Sequence, residues 1–302
     1  MTIERIGELA ALGTSILWTL TYVQFTIAVR VIGASRLNRL RLAVAIVLLM
    51  AAHAVVYRTP IPLDAEAFRW GWLVLSGVFG FAISDAMLFS ALLHLGAHRT
   101  SLVMALIPVV SAVLAWAIFG ERLSTIQILG AGVTVSGIAL VVSARSADAT
   151  KEGGRSRRAL AGVLFALGAV AAQSLRYILS VAGMRGGYPE LSTNVIQILA
   201  ATVAVWIPAF LSGAWRSTFL PPFTRRAATA TIGGAVAGPF LGVTLSLVAL
   251  SRAQVGIAST LMALVPVFLL PFSRFVLKEP IGVRAIAGTG LAVGGVAVLL
   301  LF

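Results

Sequence analysis

Residues 104–142 read MALIPVVSAVLAWAIFGERLSTIQILGAGVTVSGIALVV, and residues 262–300 read MALVPVFLLPFSRFVLKEPIGVRAIAGTGLAVGGVAVLL. The two stretches align without a gap. Pro108 falls on Pro266, Glu121 on Glu279, Gly130 on Gly288, Gly132 on Gly290 and Gly137 on Gly295. Each is a pair of long apolar runs joined by a short polar turn. Fainter echoes extend the match upstream: Gly80 to Gly238, and Asn38 with Arg41 to Asn194 with Gln197. A repeat of this length means that one structural unit occurs twice in the chain.

The surroundings of the repeat set its environment. The chain has 302 residues, of which 59% are hydrophobic and only 11% charged, and its mean hydropathy is +1.01. A soluble domain carries about 25% charged residues, so the composition belongs to the integral-membrane class. Apolar runs of about 20 residues suit bilayer-crossing helices, and their lack of alternation excludes strands. Spans are expected near 7–29, 38–57, 70–94, 99–119, 124–143, 159–183, 191–212, 227–250, 255–277 and 282–302. The start, MTIERIGELA, lacks the basic stretch and cleavage site of a signal peptide, so it reads as leading into a retained first helix. The polar stretch ARSADATKEGGRSRR, 144–158, separates five spans from five. Repeats with an odd number of spans face opposite ways. The expected fold is therefore all-α integral membrane, ten transmembrane helices in two inverted five-helix repeats, 1–143 and 159–302, with 144–158 as the linker. Inverted repeats with a site between them are typical of secondary transporters.

The net charge of +13 does not point to nucleic acid, because the Lys and Arg sit in short gaps between apolar runs. Arg30, Arg36, Arg39, Arg41, the 144–158 linker and the pair Arg225–Arg226 fall in alternate gaps; the termini and the other gaps carry few. By the positive-inside rule both termini lie outside the cytoplasm. The chain has no cysteine, which excludes disulfides and thiolate metal sites.

Ten spans in two halves, each with a P…GE/KE…G.G….G signature near its end, resemble the EamA family of the drug/metabolite transporter superfamily. The segments ALLHLGAHRTSLVMALIPV, FGERL and ILGAG carry the resemblance in the first half. The second half departs from it, with Lys278 before Glu279 and Pro280 after. The resemblance implies a proton- or exchange-coupled carrier of small metabolites, often an exporter. It also implies a central cavity lined by the first and sixth helices, and termini inside the cell.

FAISDAML, residues 81–88, places a carboxylate in a long apolar run. Asp85, with Ser84 beside it, is the only acidic residue deep in an expected span; Glu121 and Glu279 lie at span ends. A centred Asp costs about 2.5–3.5 kcal/mol on insertion scales, and such residues mark ion or substrate pathways. The alternative is a protonated Asp bonded to a neighbouring helix. Arg176 is the best intramembrane cation, sharing one helical face with Gln173, Tyr177 and Ser180; its alternative is snorkelling to the interface. Thr14, Trp18, Thr21 and Tyr22 make a comparable stripe on the first helix. Helical rise alone puts Asp85 and Arg176 about 10 Å apart along the membrane normal, a gap that a small zwitterion could span.

Pro108, Pro266 and Pro271 each remove a helical hydrogen bond and are hinge candidates. Gly234, Gly238 and Gly242, and Gly290 with Gly294, allow close helix approach, expected to be internal. His94 and His98 are four residues apart but lack further ligands, so no metal is expected. No nucleotide, hydrolase or zincin motif is present, so neither an enzyme nor a cofactor is expected. The sequence therefore reads as a multi-pass secondary transporter of the inner (plasma) membrane, an exporter of small polar metabolites with amino acids or related zwitterions favoured. Asp85 takes a proton or an ammonium, and Arg176 a carboxylate. The alternative is efflux of cationic or amphiphilic drugs. The partners expected are a small-molecule substrate, the lipid bilayer and a coupling proton, with no nucleic acid; a monomer is favoured over a dimer.

Overall fold

In the computed structural model, residues 3–119, 125–143, 153–219, 224–253, 258, 261–278 and 282–301 are described, and every regular element among them is helical. Glu121, Glu279, Pro280 and most of the 144–158 linker lie outside the described residues. The first half holds α1 (Ile3–Ile32), α2 (Ala34–Tyr57), α3 (Ala67–Gly77), α4 (Asp85–Leu95), α5 (Ala97–Met104), α6 (Ile107–Phe119) and α7 (Thr125–Ser143). The second holds α8 (Gly153–Gly183), α9 (Glu190–Leu211), α10 (Trp215–Thr218), α11 (Arg225–Ala235), α12 (Val243–Arg252), α13 (Val265–Phe275) and α14 (Val283–Leu301).

Two π-helical segments, Val78–Ser84 and Val236–Gly242, join α3 to α4 and α11 to α12 into single rods. They occupy the same register of the repeat, with Gly80 in one and Gly238 in the other. The register recurs further on: turns at Ala105–Leu106 and Ala263–Leu264 precede α6 and α13. The expected fourth span is thus two helices, and Pro108 and Pro266 sit in the first turn after each break. This is where a missing N–H costs nothing. Pro271 lies inside α13, which continues through it.

Among the described residues, six helices are long and apolar enough to cross a membrane: Arg5–Ile32, Ala34–Tyr57, Ala67–Leu95, Arg157–Gly183, Glu190–Leu211 and Arg225–Arg252. The other four expected spans coincide with shorter apolar helices, Ala97–Ser111, Ile128–Gly137, Val265–Phe275 and Ile286–Gly295. Tight turns set some of the boundaries. Gly33, at φ 79°, separates α1 from α2, and Gly96, at φ 82°, separates α4 from α5. Both use backbone conformations that favour glycine. Thr224 caps α11, its Oγ1 accepting the Ala227 N–H at 3.1 Å.

The distribution of polarity is inverted relative to a soluble protein. Large apolar side chains such as Leu164, Leu211 and Val283 face outward, while Asn38, Arg41, Arg176, Asn194 and Gln197 are buried. Only a surrounding hydrocarbon makes that favourable.

The two halves interlock. α1 packs on α11, the second π segment and α12, and α8 packs on α3, the first π segment and α4. Glycines permit the crossings. A Cβ on Gly80 would strike the Arg176 stem, and one on Gly238 would meet Thr21. α7 and α14 pack on each other in the same reciprocal way. A Cβ on Gly137 would strike Ala292 and Gly288, and one on Gly295 would strike Thr134 and Gly130. Gly234, Gly238 and Gly242 pack internally against Phe25, Thr21 and Trp18. Gly290 and Gly294 do not: a Cβ on either would meet nothing. That expectation is corrected, because the face of α14 turned to α7 carries Gly288, Ala292 and Gly295.

Candidate functional site

Each π segment is a local widening of its rod, and a carbonyl oxygen there has lone pairs free for a further hydrogen bond. The second helix of each half supplies the donor. Asn38 Nδ2 donates to Ala82 O at 3.4 Å, and Arg41 Nη2 donates to Phe81 O at 3.0 Å. In the other half, Asn194 Nδ2 donates to Pro239 O at 2.9 Å. Asn38 and its echo Asn194 are therefore equivalent caps on the two π turns, whereas Arg41 caps the first turn and its echo Gln197 bonds to Ser76, Ser180 and Arg176 instead.

Asp85 follows the first π segment directly. Its Oδ2 lies 2.5 Å from Arg41 Nη2, and the Asp85 side chain is 16% exposed where the Arg41 side chain is 2% exposed. Arg41 is held on all sides. Its Nε and Nη2 donate to Asn38 Oδ1 at 3.1 and 2.8 Å. Its guanidinium lies over Phe89 and Phe25, 5.1 and 5.9 Å from the ring centroids, and those two rings meet edge to face. The sequence reading missed Arg41. Its place at the start of a span, in the basic stretch SRLNRLRL, reads as an orientation signal. Its spacing from Asn38, three residues along one helical face, was the available clue.

Arg176 is fully buried on α8. Gln197 Oε1 accepts from its Nη1 at 3.1 Å, and Gln197 Nε2 is anchored on the hydroxyls of Ser76 and Ser180. The guanidinium stacks on Phe81 and Tyr177 at 4.7 and 5.0 Å. Nε and Nη2 make no hydrogen bond of good geometry. These two nitrogens form the side-on edge by which arginine grips a carboxylate through two parallel bonds.

Between the halves lies a cavity of about 130 Å³, room for on the order of ten waters. α1 contributes Trp18, Thr21, Tyr22 and Phe25; α2 contributes Arg41; the α3–α4 rod contributes Phe81, Asp85 and Phe89. Gln173 and Tyr177 come from α8, Gly238 and Pro239 from the second π segment, and Pro108 and Pro266 from the broken rods. Of the residues singled out from sequence, Asp85, Trp18, Tyr22, Gln173, Tyr177, Pro108 and Pro266 meet at this cavity. Arg176, Ser84 and Pro271 are not on its wall. Arg176 sits behind Phe81 and Tyr177, and Ser84 Oγ donates to Ala169 O at 2.9 Å, tying the α3–α4 rod to α8. The expectation of a single deep cation is corrected by Arg41, which holds the carboxylate directly.

The chain matches the EamA-like transporter family over residues 5–143 and 160–301. It belongs to that family. Membership makes the chain a multi-pass membrane transporter rather than an enzyme. A curated relative from Streptantibioticus cattleyicolor, named "Probable terminal-alkyne amino-acid exporter", is 25% identical over 294 residues, covering 95% of this chain and 90% of the relative. A solved crystal structure with 18% identity matches 99% of this chain and 98% of its own at a TM-score of 0.69. That likeness establishes a shared fold. Within this EamA chain the cavity lies where α1, α2 and α8 meet the two π-containing rods.

Proposed function

We propose that this EamA-family chain is a secondary transporter of the inner (plasma) membrane that exports small zwitterionic metabolites, amino acids foremost, by alternating access. In this reading the six long and four shorter apolar helices make ten spans in two inverted repeats. The halves rock about the cavity between them, and the working unit is a monomer. The observation that carries the reading is the charge arrangement: an anion on the cavity wall, and behind the wall an arginine with no carboxylate partner among the described residues, its guanidinium held by Gln197 and covered by Phe81 and Tyr177. Asp85 attracts the substrate ammonium. Arg176 receives the carboxylate once Phe81 and Tyr177 shift, and Gln197 keeps its guanidinium oriented meanwhile. The amino-acid exporter among the relatives supports the substrate class. Proton coupling through Asp85 belongs to the same reading.

Thermal unfolding of the purified protein with a panel of amino acids, their decarboxylated amines and their deaminated acids tests it, because only ligands of the native state raise the melting temperature. Amino acids should stabilise, and the amines and acids should do so far less. Equal protection by amines and amino acids would transfer the assignment to cationic-drug efflux. Against that second reading stands the excess of buried positive charge, Arg41 and Arg176 against Asp85, which a carboxylate-bearing ligand can offset and a pure cation cannot.

A further inference from the structure

We infer that Arg41 is a charge filter: a built-in counter-cation that makes the cavity reject organic cations lacking a carboxylate. The inference rests on the reading of the cavity as a zwitterion site. It starts from an asymmetry between the halves. The repeat partner of Arg41 is Gln197, which is neutral, and among the described residues the second half places no acidic counterpart to Asp85 at the equivalent position, Val243. The Arg41–Asp85 pair is therefore not required by the fold of the repeat, since the second half caps its π turn with Asn194 alone.

Arg41 is fixed by contacts other than Asp85. Asn38 Oδ1 holds two of its nitrogens, Phe81 O accepts from it, and Phe25 and Phe89 cover its guanidinium. Asp85 is the more exposed partner, so the carboxylate is the group that can turn to a ligand while the guanidinium stays. A ligand ammonium then competes with a cation that cannot leave. With Arg41, Asp85 and Arg176 charged, the buried site already carries one excess positive charge. A zwitterion leaves that sum unchanged, because its carboxylate accompanies its ammonium. A pure cation raises the sum by one in a poorly screened interior, where unpaired charge is costly. The discrimination is thus repulsive rather than a matter of fit.

The test compares the full-length native protein with Arg41→Gln, Arg41→Lys and the double variant Arg41→Gln with Asp85→Asn, each titrated with choline chloride against sodium chloride at equal ionic strength. Choline should leave the native protein and Arg41→Lys unshifted in melting temperature. It should stabilise Arg41→Gln and bind it at least tenfold tighter than the native protein, and the double variant should lose that gain. A purely structural ion pair would give no cation-dependent stabilisation in any variant. Equal choline response in native and Arg41→Gln protein overturns the filter. If Arg41→Gln fails to purify, expression and purification in choline decide: recovery of a monodisperse protein supports the filter, and no recovery over sodium overturns it. Amino-acid protection of the native protein is read in the same experiment. Its presence without the choline gain sinks the filter alone, and its absence with the choline gain sinks the zwitterion reading alone.

Discussion

Asp85 and Arg41 settle a problem that neither residue could settle alone, because each is a charge inside an apolar rod. Their 2.5 Å contact makes the pair tolerable, and breaking it from one side should be expensive. Asp85→Asn leaves Arg41 without its ion partner, and removing one partner of a buried pair costs about 3–5 kcal/mol. A fall in the melting temperature of the purified variant checks this. Replacing both residues, Arg41→Met with Asp85→Leu, should recover much of the loss while abolishing ligand protection. Arg176 gives a different signature. Arg176→Lys keeps the charge and loses the two-nitrogen edge. Amino-acid affinity should fall by about 1.5–3 kcal/mol, the range for hydrogen bonds to charged groups. Isothermal titration of native and variant protein measures it, and unchanged affinity would show that Arg176 holds no carboxylate.

At the scale of elements, the π segments are where backbone and site chemistry meet. Their widened turns accept from outside donors, and the second helices carry buried amides that supply them. Asn194→Ala should uncap Pro239 O, leaving a buried acceptor unsatisfied at about 1–3 kcal/mol, visible as a lowered melting temperature. The helix contacts predict a sharper contrast. Gly137→Val places a side chain against the α14 backbone at Ala292 and Gly288, whereas Gly290→Val meets open space. The first variant should lose its monodisperse peak in size-exclusion chromatography, and the second should keep it. Both glycines belong to the same repeated signature, so spacing alone could not rank them. Which glycine touches a neighbour depends on how α14 is rotated against α7.

At the scale of the whole molecule, charge and repeat together set orientation. Arg39 and Arg41 are buried and drop out of the loop balance, yet Arg30, Arg36, Arg225, Arg226 and the basic linker still occupy alternate gaps. A C-terminal alkaline phosphatase fusion should therefore be active, reporting termini outside the cytoplasm; a fusion active only as a cytoplasmic reporter would reverse the assignment. The helical class, the membrane environment, the repeat and the family were legible in the sequence, because composition and periodicity record the solvent that each segment faces. Asp85 was legible too, since an isolated carboxylate in an apolar run stands out against its neighbours. The sequence could not show the partner of Asp85. Arg41 lies 44 residues upstream, and pairing at that separation exists only once α2 packs on the α3–α4 rod. The π turns were equally hidden: local residues permit them, but donors from another helix stabilise them. Tertiary structure also put Arg176 behind the cavity wall, against Phe81 and Tyr177, because rotation of α8 about its axis is fixed by Gly80 and Gln197 on two other rods. Sequence determined which groups the chain carries into the membrane; packing decided which of them meet, since a buried charge is stabilised by neighbours in space rather than in chain order.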